Sequence, residues 1–256
     1  MTTVRIGVCF DADVLERLPL RATLASSDAV ILPELLDGGY AALRNGKPPH
    51  TLRDSFLSTL KAASRRVAPT IIAGSVVLSD GSRKPTNSSL VFSRGRLVHR
   101  YDKIHLFQPA GDNLFFRPGP LTVRTFRLPL RSGSIRAGIV ICYDVRFPEL
   151  IRVLALRGMK ILFVPARWPR QRDEAWRSLL KARAIENQIF VVGCNANDGE
   201  GGYSYAFDPL GRMIFSNRGK RESRFLTFSL SLHRLTQARA LHSNLREAVL
   251  LHHLCA

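Results

Sequence analysis

The chain predicts an α/β fold built on one or two mixed β-sheets, and two features of its residue pattern support this prediction. Short apolar runs alternate with segments of helical periodicity along most of the 256 residues. Some neighbouring runs are joined by segments long enough for a crossover helix, which suits parallel pairing, and others by short turns that suit hairpins. Helices that cover the apolar faces of the sheets complete such a fold.

The predicted strands are short runs rich in β-branched and aromatic residues. They are Val4–Cys9, Ala29–Pro33, Thr70–Leu78, Ser88–Ser93, Arg96–Arg100, Thr122–Leu128, Ile135–Cys142, Ile161–Pro165, Phe190–Asn195, Tyr203–Asp208, Met213–Ser216 and Phe225–Ser229. The predicted helices are Leu52–Val67, Phe147–Arg157, Asp173–Asn187 and a terminal helix within 231–256. Thr51 and Asp173 are candidate N-caps. Pro148 suits the first turn of its helix, and Gly158 suits a C-terminal cap.

Length and composition indicate one unit with a large core, because 256 residues and 45% hydrophobic content are ordinary for a globular protein. We expect a main domain over residues 1–230 and a helical tail over 231–256 that belongs to the same unit. No run of about 18 apolar residues is present to span a bilayer, and the first residues lack the apolar region of a signal peptide. The four cysteines are too scattered for a disulfide framework, so a reducing cytoplasm is the expected compartment.

The net charge is strongly positive, because 38 Lys and Arg residues outnumber 20 Asp and Glu residues to give +18. Such an excess is typical of proteins that bind nucleic acid or anionic surfaces. The basic residues are spread along the chain, however, and the densest cluster, Arg218–Arg224, has no aromatic residues for base stacking. We interpret the charge as a solvated surface. The seven histidines include no helical pair with an acid, so we expect no metal site.

Cys142 lies where a buried strand gives way to a helix. Gly138–Ile141 has the apolar character of a strand buried on both faces, and Pro148 begins a helix shortly afterwards. A thiol at such a junction faces free backbone N–H groups and the positive end of the helix dipole, which favour a thiolate and a developing oxyanion. The segment alone fits a structural cysteine equally well, because free Cys is among the most buried residue types.

Two charged residues also stand at strand ends. Ala29–Pro33 leads directly to Glu34, and Arg96–Arg100 leads to Lys103 within an apolar and aromatic run. Taken alone, Glu34 fits an ordinary carboxylate at a strand end, and Lys103 fits a surface lysine. An acid, a lysine and a cysteine that each follow a strand, in this order, favour a common site.

These three segments resemble the nitrilase superfamily of carbon–nitrogen hydrolases, and the resemblance extends from Val4 to about Phe228. It rests on the sequences Leu32-Pro-Glu, Tyr101-Asp-Lys-Ile-His-Leu-Phe and Ile141-Cys-Tyr-Asp-Val-Arg-Phe-Pro-Glu-Leu, with further matches at Trp168-Pro, Ala182-Arg-Ala-Ile-Glu-Asn-Gln and Asp208-Pro-Leu-Gly. It implies a four-layer α-β-β-α sandwich with mixed sheets, a hydrolase domain over residues 1–230, and no cofactor. It also implies a homodimer or a larger homo-oligomer, formed through the helical layer. The tail 231–256 matches the family poorly.

The roles that the resemblance implies agree with the chemistry of the three residues. An amide carbonyl is a weak electrophile, so hydrolysis is easier when acyl transfer to a thiol precedes attack by water. Cys142 is then the expected nucleophile, Glu34 the general base, and Lys103 the cation that stabilises the oxyanion. The backbone N–H of Tyr143 is a second candidate oxyanion donor.

One departure from the family pattern concerns a fourth polar residue. Many members have a second glutamate after the lysine motif, and counting back from Pro118-Gly119 places Asp112 there. Aspartate is one methylene shorter. Asp112 therefore either supports Lys103 and substrate through a shifted loop or has lost this role.

A second departure is Arg167, where relatives usually have a small or amide residue before the Trp-Pro step. We expect Arg167 to hold a substrate carboxylate in a bidentate contact, beside Trp168 as a second substrate-binding residue. A side chain directed into solvent fits the sequence nearly as well. Arg146 is assigned instead to a structural ion pair with Asp144 or Glu149.

Within the superfamily, the Cys142 motif and the 182–188 segment look most like omega-amidases and Nit-type amidases. Such enzymes release ammonia from the terminal amide of small dicarboxylic monoamides such as 2-oxoglutaramate, or hydrolyse deaminated glutathione. The resemblance therefore implies a thiol amidohydrolase that acts on a short linear amide through a Cys thioester. A nitrilase or an N-carbamoyl-amine amidohydrolase, which shares the three residues, stays open as an alternative. So does a catalytically idle relative that acts as a basic scaffold or binds nucleic acid.

Overall fold

Two mixed sheets form the centre of the computed structural model, which describes residues 3–10, 26–36, 38–45, 54–66, 70–130, 133–220 and 222–247. The strands of these ranges are β1 (Thr3–Cys9), β2 (Ala29–Ile31), β3 (Thr70–Ile72), β4 (Val76–Leu78), β5 (Thr86–Ser93), β6 (Arg96–Asp102), β7 (Phe126–Leu130), β8 (Gly133–Ile139), β9 (Ile161–Ala166), β10 (Phe190–Asn195), β11 (Tyr205–Phe207), β12 (Met213–Ser216) and β13 (Phe225–Ser231). The first sheet has the order β13-β1-β2-β3-β5-β4 with β6 paired to β5, and the second has the order β12-β11-β10-β9-β8-β7.

Each sheet has a parallel centre. Strands β1, β2 and β3 are parallel in the first sheet, and β8, β9 and β10 are parallel in the second. The outer pairs are antiparallel. Because functional residues collect beyond the carboxyl ends of parallel strands, the loops after β2, β8 and β9 are the natural place for a site.

Helices cover the outer faces of the two sheets. The described helices are α1 (Gly39–Arg44), α2 (Asp54–Arg66), α3 (Asp112–Phe115), α4 (Pro148–Leu156), α5 (Asp173–Asn187) and α6 (His233–Leu241). Helix α2 packs on β3 and β5 of the first sheet, while α5 packs on β10 and β11 of the second sheet and also contacts α4. The four-layer α-β-β-α sandwich is confirmed.

The main core lies between the sheets. Val4, Ile6 and Val8 alternate along β1 and belong to one fully buried apolar cluster with the central strands of the second sheet. A second cluster joins the opposite face of the first sheet to Leu60 and Ala63 of α2. The two clusters explain why both sheets read as apolar runs in the sequence, since β2, β3, β9 and β10 are buried on both faces along their whole length.

Several boundaries differ from the predicted ones. The predicted strand Thr70–Leu78 is interrupted at Gly74, which has a φ of +55°. A Cβ atom at this position would collide with the Pro33 carbonyl oxygen, so only glycine fits beside Pro33. The predicted Thr122–Leu128 strand begins only at Phe126. The predicted strand Ile135–Cys142 ends at Ile139, before the 3₁₀ segment Cys142–Arg146.

The predicted helices are present, with two corrections. Asp173 is the first residue of α5, and the N-cap is Arg172. The Asp173 carboxylate accepts a hydrogen bond from the Tyr205 hydroxyl at 2.8 Å. In the tail only His233–Leu241 is helical among the described residues, and residues 248–256 lie outside them, as does Thr51. The short helices α1 and α3 were not predicted. The division at residue 230 stays a prediction. No described helix combines the length and apolar character needed to cross a bilayer.

Candidate active site

Glu34, Lys103 and Cys142 come together in the interior, although they are far apart in the chain. Glu34 follows β2, Lys103 follows β6, and Cys142 opens the 3₁₀ segment after β8. Their exposed fractions are 0%, 1% and 7%, respectively. Charged groups this deeply buried must be paired and hydrogen-bonded to remain charged.

Lys103 provides that pairing for two carboxylates. Its Nζ donates to Glu34 Oε1 at 2.8 Å and to Asp112 Oδ2 at 2.7 Å, and it lies 3.4 Å from the Tyr40 hydroxyl. Burial alone would lower the pKa of Lys103, but the neighbouring Glu34, Tyr40 and Asp112 raise it well above its usual value. Lys103 is therefore an ammonium ion in the folded protein.

The Glu34 carboxylate is oriented by several donors. Oε1 accepts hydrogen bonds from Lys103 and from Asn87 Nδ2 at 2.9 Å, and Oε2 accepts one from the Arg167 backbone N–H at 3.0 Å. Glu34 also lies beside the Cys142 thiol, close enough for its charge and hydrogen bonding to raise the pKa of that thiol. A carboxylate held in this way next to a thiol is placed to remove the thiol proton.

Cys142 has a backbone conformation that the sequence did not indicate. Its φ is +48°, in the left-handed region that residues other than glycine rarely adopt. The buried Asp144 carboxylate stabilises this turn, because it accepts the Ile141 backbone N–H at 3.0 Å. Asp144 also accepts the Tyr101 hydroxyl at 2.7 Å and the His105 backbone N–H at 2.8 Å. One carboxylate thus ties the Cys142 turn to the loop that contains Lys103.

The thiol is protonated rather than ionised at neutral pH. Burial and then the negative charge of Glu34 raise the pKa of Cys142 well above the ordinary thiol value, and Lys103 and the Arg167 backbone N–H only partly oppose this. The strand-to-helix junction was expected to favour a thiolate, and burial together with the nearby carboxylate reverses that expectation. The geometry suits proton removal by Glu34 during attack, not a preformed ion pair.

The free energy of unfolding should fall as the pH rises above about 9. Burial raises the pKa of Cys142 and of Cys194 above the ordinary value of 9.0. The unfolded chain loses these protons first, so the stability present below pH 9 is lost between the unfolded and folded pKa values. Urea unfolding at pH 8, 9 and 10 should show a decline that is shallower in Cys142→Ala, by up to about 1.4 kcal/mol per pH unit. Equal slopes for the two proteins would contradict the raised pKa.

Asp112 reaches Lys103 despite its shorter side chain. It is the first residue of α3, and its Oδ2 also accepts the Phe107 backbone N–H at 2.9 Å, which holds the loop close to the lysine. Its other oxygen, Oδ1, is buried and has no protein partner among the described residues. A buried acceptor without a partner is unusual and leaves one position for a donor from a ligand.

Replacing Asp112 with Asn should lower kcat by roughly one to three decades, because the shape is kept while the charge that supports Lys103 is lost. The measurement is steady-state ammonia release by the parent and by Asp112→Asn at one pH. A variant with unchanged kinetics would show that the fourth carboxylate has no catalytic role in this chain.

A narrow pocket leads to Cys142. It is lined by Phe107, Cys142, Tyr143, Arg146, Arg167, Trp168, Pro169 and Arg172. The Arg146 guanidinium lies 4.9 Å from the Trp168 ring centre, and that of Arg172 lies 5.1 Å from the Phe107 ring centre. The predicted ion pair of Arg146 is wrong: it pairs with neither Asp144 nor Glu149 among the described residues. Trp168 is 4% exposed and forms part of the pocket wall.

The Arg167 side chain is held by acceptors of the protein itself. Its Nε donates to the Glu34 carbonyl at 2.8 Å, one Nη donates to the Leu35 carbonyl at 3.1 Å, and the other pairs with Asp198 and Glu200. Four of its five N–H groups are therefore used by the protein. The predicted bidentate clamp needs two free N–H groups on one edge, and this geometry does not provide them.

Sequence reasoning missed Tyr40, Asn87 and Arg172. Asn87 did leave a signal, because it belongs to the polar run Thr86–Ser89 inside a strand that is buried along its whole length. Tyr40 lies on the unpredicted helix α1, and nothing in the local pattern links it to Lys103. Within the described ranges, no group of three or more His, Cys, Asp or Glu residues is arranged to hold a metal ion.

Comparison with known proteins agrees with this geometry. The family model described as carbon-nitrogen hydrolase matches residues 15–240. The protein "Hydrolase in agr operon" of Staphylococcus aureus is 35% identical over 221 residues, which are 84% of this chain and 82% of that protein. The "2-oxoglutaramate amidase" of Bacillus subtilis (strain 168) is 34% identical over 218 residues, 83% of this chain and 82% of the relative.

A solved structure shows the same arrangement of sheets and helices. XC1258 from Xanthomonas campestris, described as a CN-hydrolase superfamily protein with an arsenic adduct in the active site, superposes with a TM-score of 0.73 at 28% identity. The match covers 94% of this chain and 95% of that one. With a family model over most of its length and relatives above 30% identity, the chain belongs to the carbon–nitrogen hydrolase family, and the hydrolase predicted from its sequence is confirmed.

Proposed function

We propose that the protein is an omega-amidase-like thiol amidohydrolase that releases ammonia from a short dicarboxylic monoamide. The observation that best supports this proposal is the buried cluster in which Glu34 is paired with Lys103 at 2.8 Å and lies close enough to the Cys142 thiol to raise its pKa. The "2-oxoglutaramate amidase" relative has a name of the same class. The reaction needs no metal or cofactor, because the cluster contains a nucleophile, a base and a cation.

In the acylation step, Glu34 accepts the thiol proton while the Cys142 sulfur attacks the amide carbon. The carbonyl oxygen becomes an oxyanion, and Lys103 Nζ and the backbone N–H of Tyr143 stabilise it. When the tetrahedral intermediate collapses, Glu34 returns the proton to the nitrogen, ammonia leaves, and a thioester remains on Cys142.

In the deacylation step, Glu34 removes a proton from a water molecule that attacks the thioester carbon. The same donors stabilise the second oxyanion, the carbon–sulfur bond breaks, and the proton returns to the sulfur. The products are the free acid and the thiol enzyme. The Asp112 oxygen without a partner is a suitable acceptor for an N–H of the substrate amide or for the attacking water.

Two exposed arginines at the pocket are the best candidates to hold the distant carboxylate of the substrate. Arg146 and Arg172 both line the pocket, and each lies over an aromatic ring that holds its guanidinium in place. Such groups can form paired hydrogen bonds with a carboxylate, which fixes the direction of the acyl chain. Because the N–H groups of Arg167 already bond to acceptors of the protein, we assign the contact with the substrate carboxylate to Arg146 and Arg172 instead.

The decisive comparison is kcat/KM for a dicarboxylic monoamide and for a neutral amide of equal length. We expect the parent to prefer the acid, and Arg146→Met and Arg172→Met each to lose about tenfold to a hundredfold on the acid alone, the value of a hydrogen bond to a charged group. Arg170→Met is the matched control, because Arg170 is a neighbouring arginine that contacts Tyr203. Added salt should lower only the part of the kcat/KM preference for the acid that comes from long-range electrostatic attraction.

A parent enzyme without any preference for the acid would contradict the omega-amidase assignment. The same assay with a nitrile and an N-carbamoyl amine tests the nitrilase and the carbamoylase alternatives. Absence of ammonia from every substrate, together with salt-dependent binding of nucleic acid, would favour the basic scaffold instead.

We further propose that the protein is a homodimer in a reducing cytoplasm. Leu156 of α4 and Ile185 of α5 are large apolar side chains on the outer helical layer, with exposed fractions of 38% and 43%. Cys142 and Cys194 are buried thiols, which agrees with a reducing compartment. Light scattering after size exclusion tests the dimer.

A further inference from the structure

Arg167 has a buried guanidinium whose contacts surround the base Glu34 rather than the pocket. Its side chain is 7% exposed. Nε and one Nη donate to the two successive carbonyls of Glu34 and Leu35, and the backbone N–H of Arg167 donates to Glu34 Oε2. The same residue therefore contacts both the main chain and the carboxylate of Glu34.

The Glu34–Leu35 segment, whose carbonyls accept hydrogen bonds from Arg167, is strained. Leu35 has a φ of +48°, a left-handed conformation that a side chain of its shape disfavours. Such a turn persists only where its surroundings hold it. Ser75 Oγ holds the Leu35 N–H at 3.0 Å, and Arg167 holds the Leu35 carbonyl from the other side. The turn sets where the Glu34 side chain leaves the backbone.

The acidic loop 198–200 also contacts the Arg167 guanidinium. Asp198 and Glu200 pair with the second Nη of Arg167, the one that does not contact the Leu35 carbonyl. Glu200 Oε2 also accepts the Tyr40 backbone N–H at 2.9 Å. A Cβ atom on Gly39 would collide with Glu200 and Arg167, so the start of α1 packs directly on this ion pair. Arg167 thus joins the Glu34 turn, the 198–200 loop and α1, the helix that contains Tyr40.

We infer that Arg167 is a positioning residue for the general base: through the Glu34–Leu35 turn it holds the Glu34 carboxylate in contact with the Cys142 thiol. This inference rests on the proposed function, in which Glu34 is the base. A base displaced by about 1 Å can cost roughly a hundredfold in rate. Loss of the Arg167 contacts should therefore slow the chemical steps for every substrate, whether or not it has a carboxylate.

The test is Arg167→Met, which keeps the aliphatic stem and removes the five donors. We expect kcat to fall about tenfold to a hundredfold for the dicarboxylic monoamide and for the neutral amide alike, with KM for each within about twofold of the parent. Arg167→Lys, which keeps one donor and the charge, should recover part of kcat. A loss of kcat/KM confined to the acid would overturn the inference in favour of a substrate clamp.

A second variant protects the test against misfolding. Glu200→Gln leaves Arg167 in place but removes one of its anchors, and we expect a smaller fall in kcat of the same kind. In the double variant Arg167→Met/Glu200→Gln the fall should equal that of Arg167→Met alone, because Gln keeps an acceptor oxygen for the Tyr40 N–H and the lost charge acts on Glu34 through Arg167. Additive losses, or unchanged kcat in both single variants, would overturn the inference. Retained turnover in Glu34→Gln would instead show that the proposed base is wrong, which is a separate failure.

Discussion

Replacing Cys142 with alanine should abolish ammonia release, with kcat reduced at least about 10⁴-fold, because it removes the proposed nucleophile while deleting only one sulfur atom. The fold should persist, since Asp144 holds the turn through backbone N–H groups that the variant retains. Cys194→Ala is the matched control: Cys194 is also fully buried, but its sulfur contacts the Ile31 carbonyl, away from the pocket. Turnover by Cys142→Ala comparable to that of the parent would refute the mechanism.

A covalent intermediate gives the same prediction a second readout. A slow substrate mixed briefly with the parent enzyme should leave an acyl mass increment on the peptide that contains Cys142. The increment should be absent from Cys142→Ala and present in Cys194→Ala. An adduct on Cys9, Cys194 or Cys255 would place the nucleophile elsewhere.

The positions of Glu34 and Cys142 could be predicted because each follows an apolar strand that is easy to recognise, whereas Lys103 follows the largely exposed strand β6 and was identified from its motif. Parallel strands such as β2 in one sheet and β8 in the other bring their carboxyl ends to a common region, so residues just after them meet. The fold class followed from the same pattern, since central strands that are buried on both faces appear as continuous apolar runs.

The details that decide the chemistry could not be predicted in the same way. The protonated state of Cys142 depends first on its burial and then on the charge of Glu34, which lies more than a hundred positions earlier in the chain. The direction of Arg167 depends on the loop with Asp198 and Glu200 and on the short helix α1, which has no strong periodic signal. Local pattern indicates which residues stand at strand ends, whereas tertiary contacts decide where their side chains point.

Lys103→Met should remove both activity and a large part of the stability. In the proposed mechanism the ammonium stabilises the oxyanion, and losing one such donor typically costs about 10²–10³ in kcat. In the folded protein the same ammonium neutralises Glu34 and Asp112, all three side chains being fully buried. Removing it leaves two buried carboxylates without a counter-ion, which should lower the free energy of unfolding by about 3–5 kcal/mol.

The stability loss and the activity loss can be separated with a double variant. Lys103→Met/Asp112→Asn removes the cation and one of its two anions, so it should recover part of the free energy of unfolding and none of the activity. Lys84→Met is the control: Lys84 is a lysine near α3 whose Nζ contacts the Asn113 carbonyl at the surface, and its loss should change stability by no more than about 0.5 kcal/mol. Urea unfolding and ammonia release are measured on all four proteins. A double variant as unstable as Lys103→Met would contradict the charge account of the cluster. A Lys103→Met enzyme with a kcat within tenfold of that of the parent would contradict the oxyanion role. No other buried ammonium among the described residues of this site contacts Glu34 and could replace Lys103.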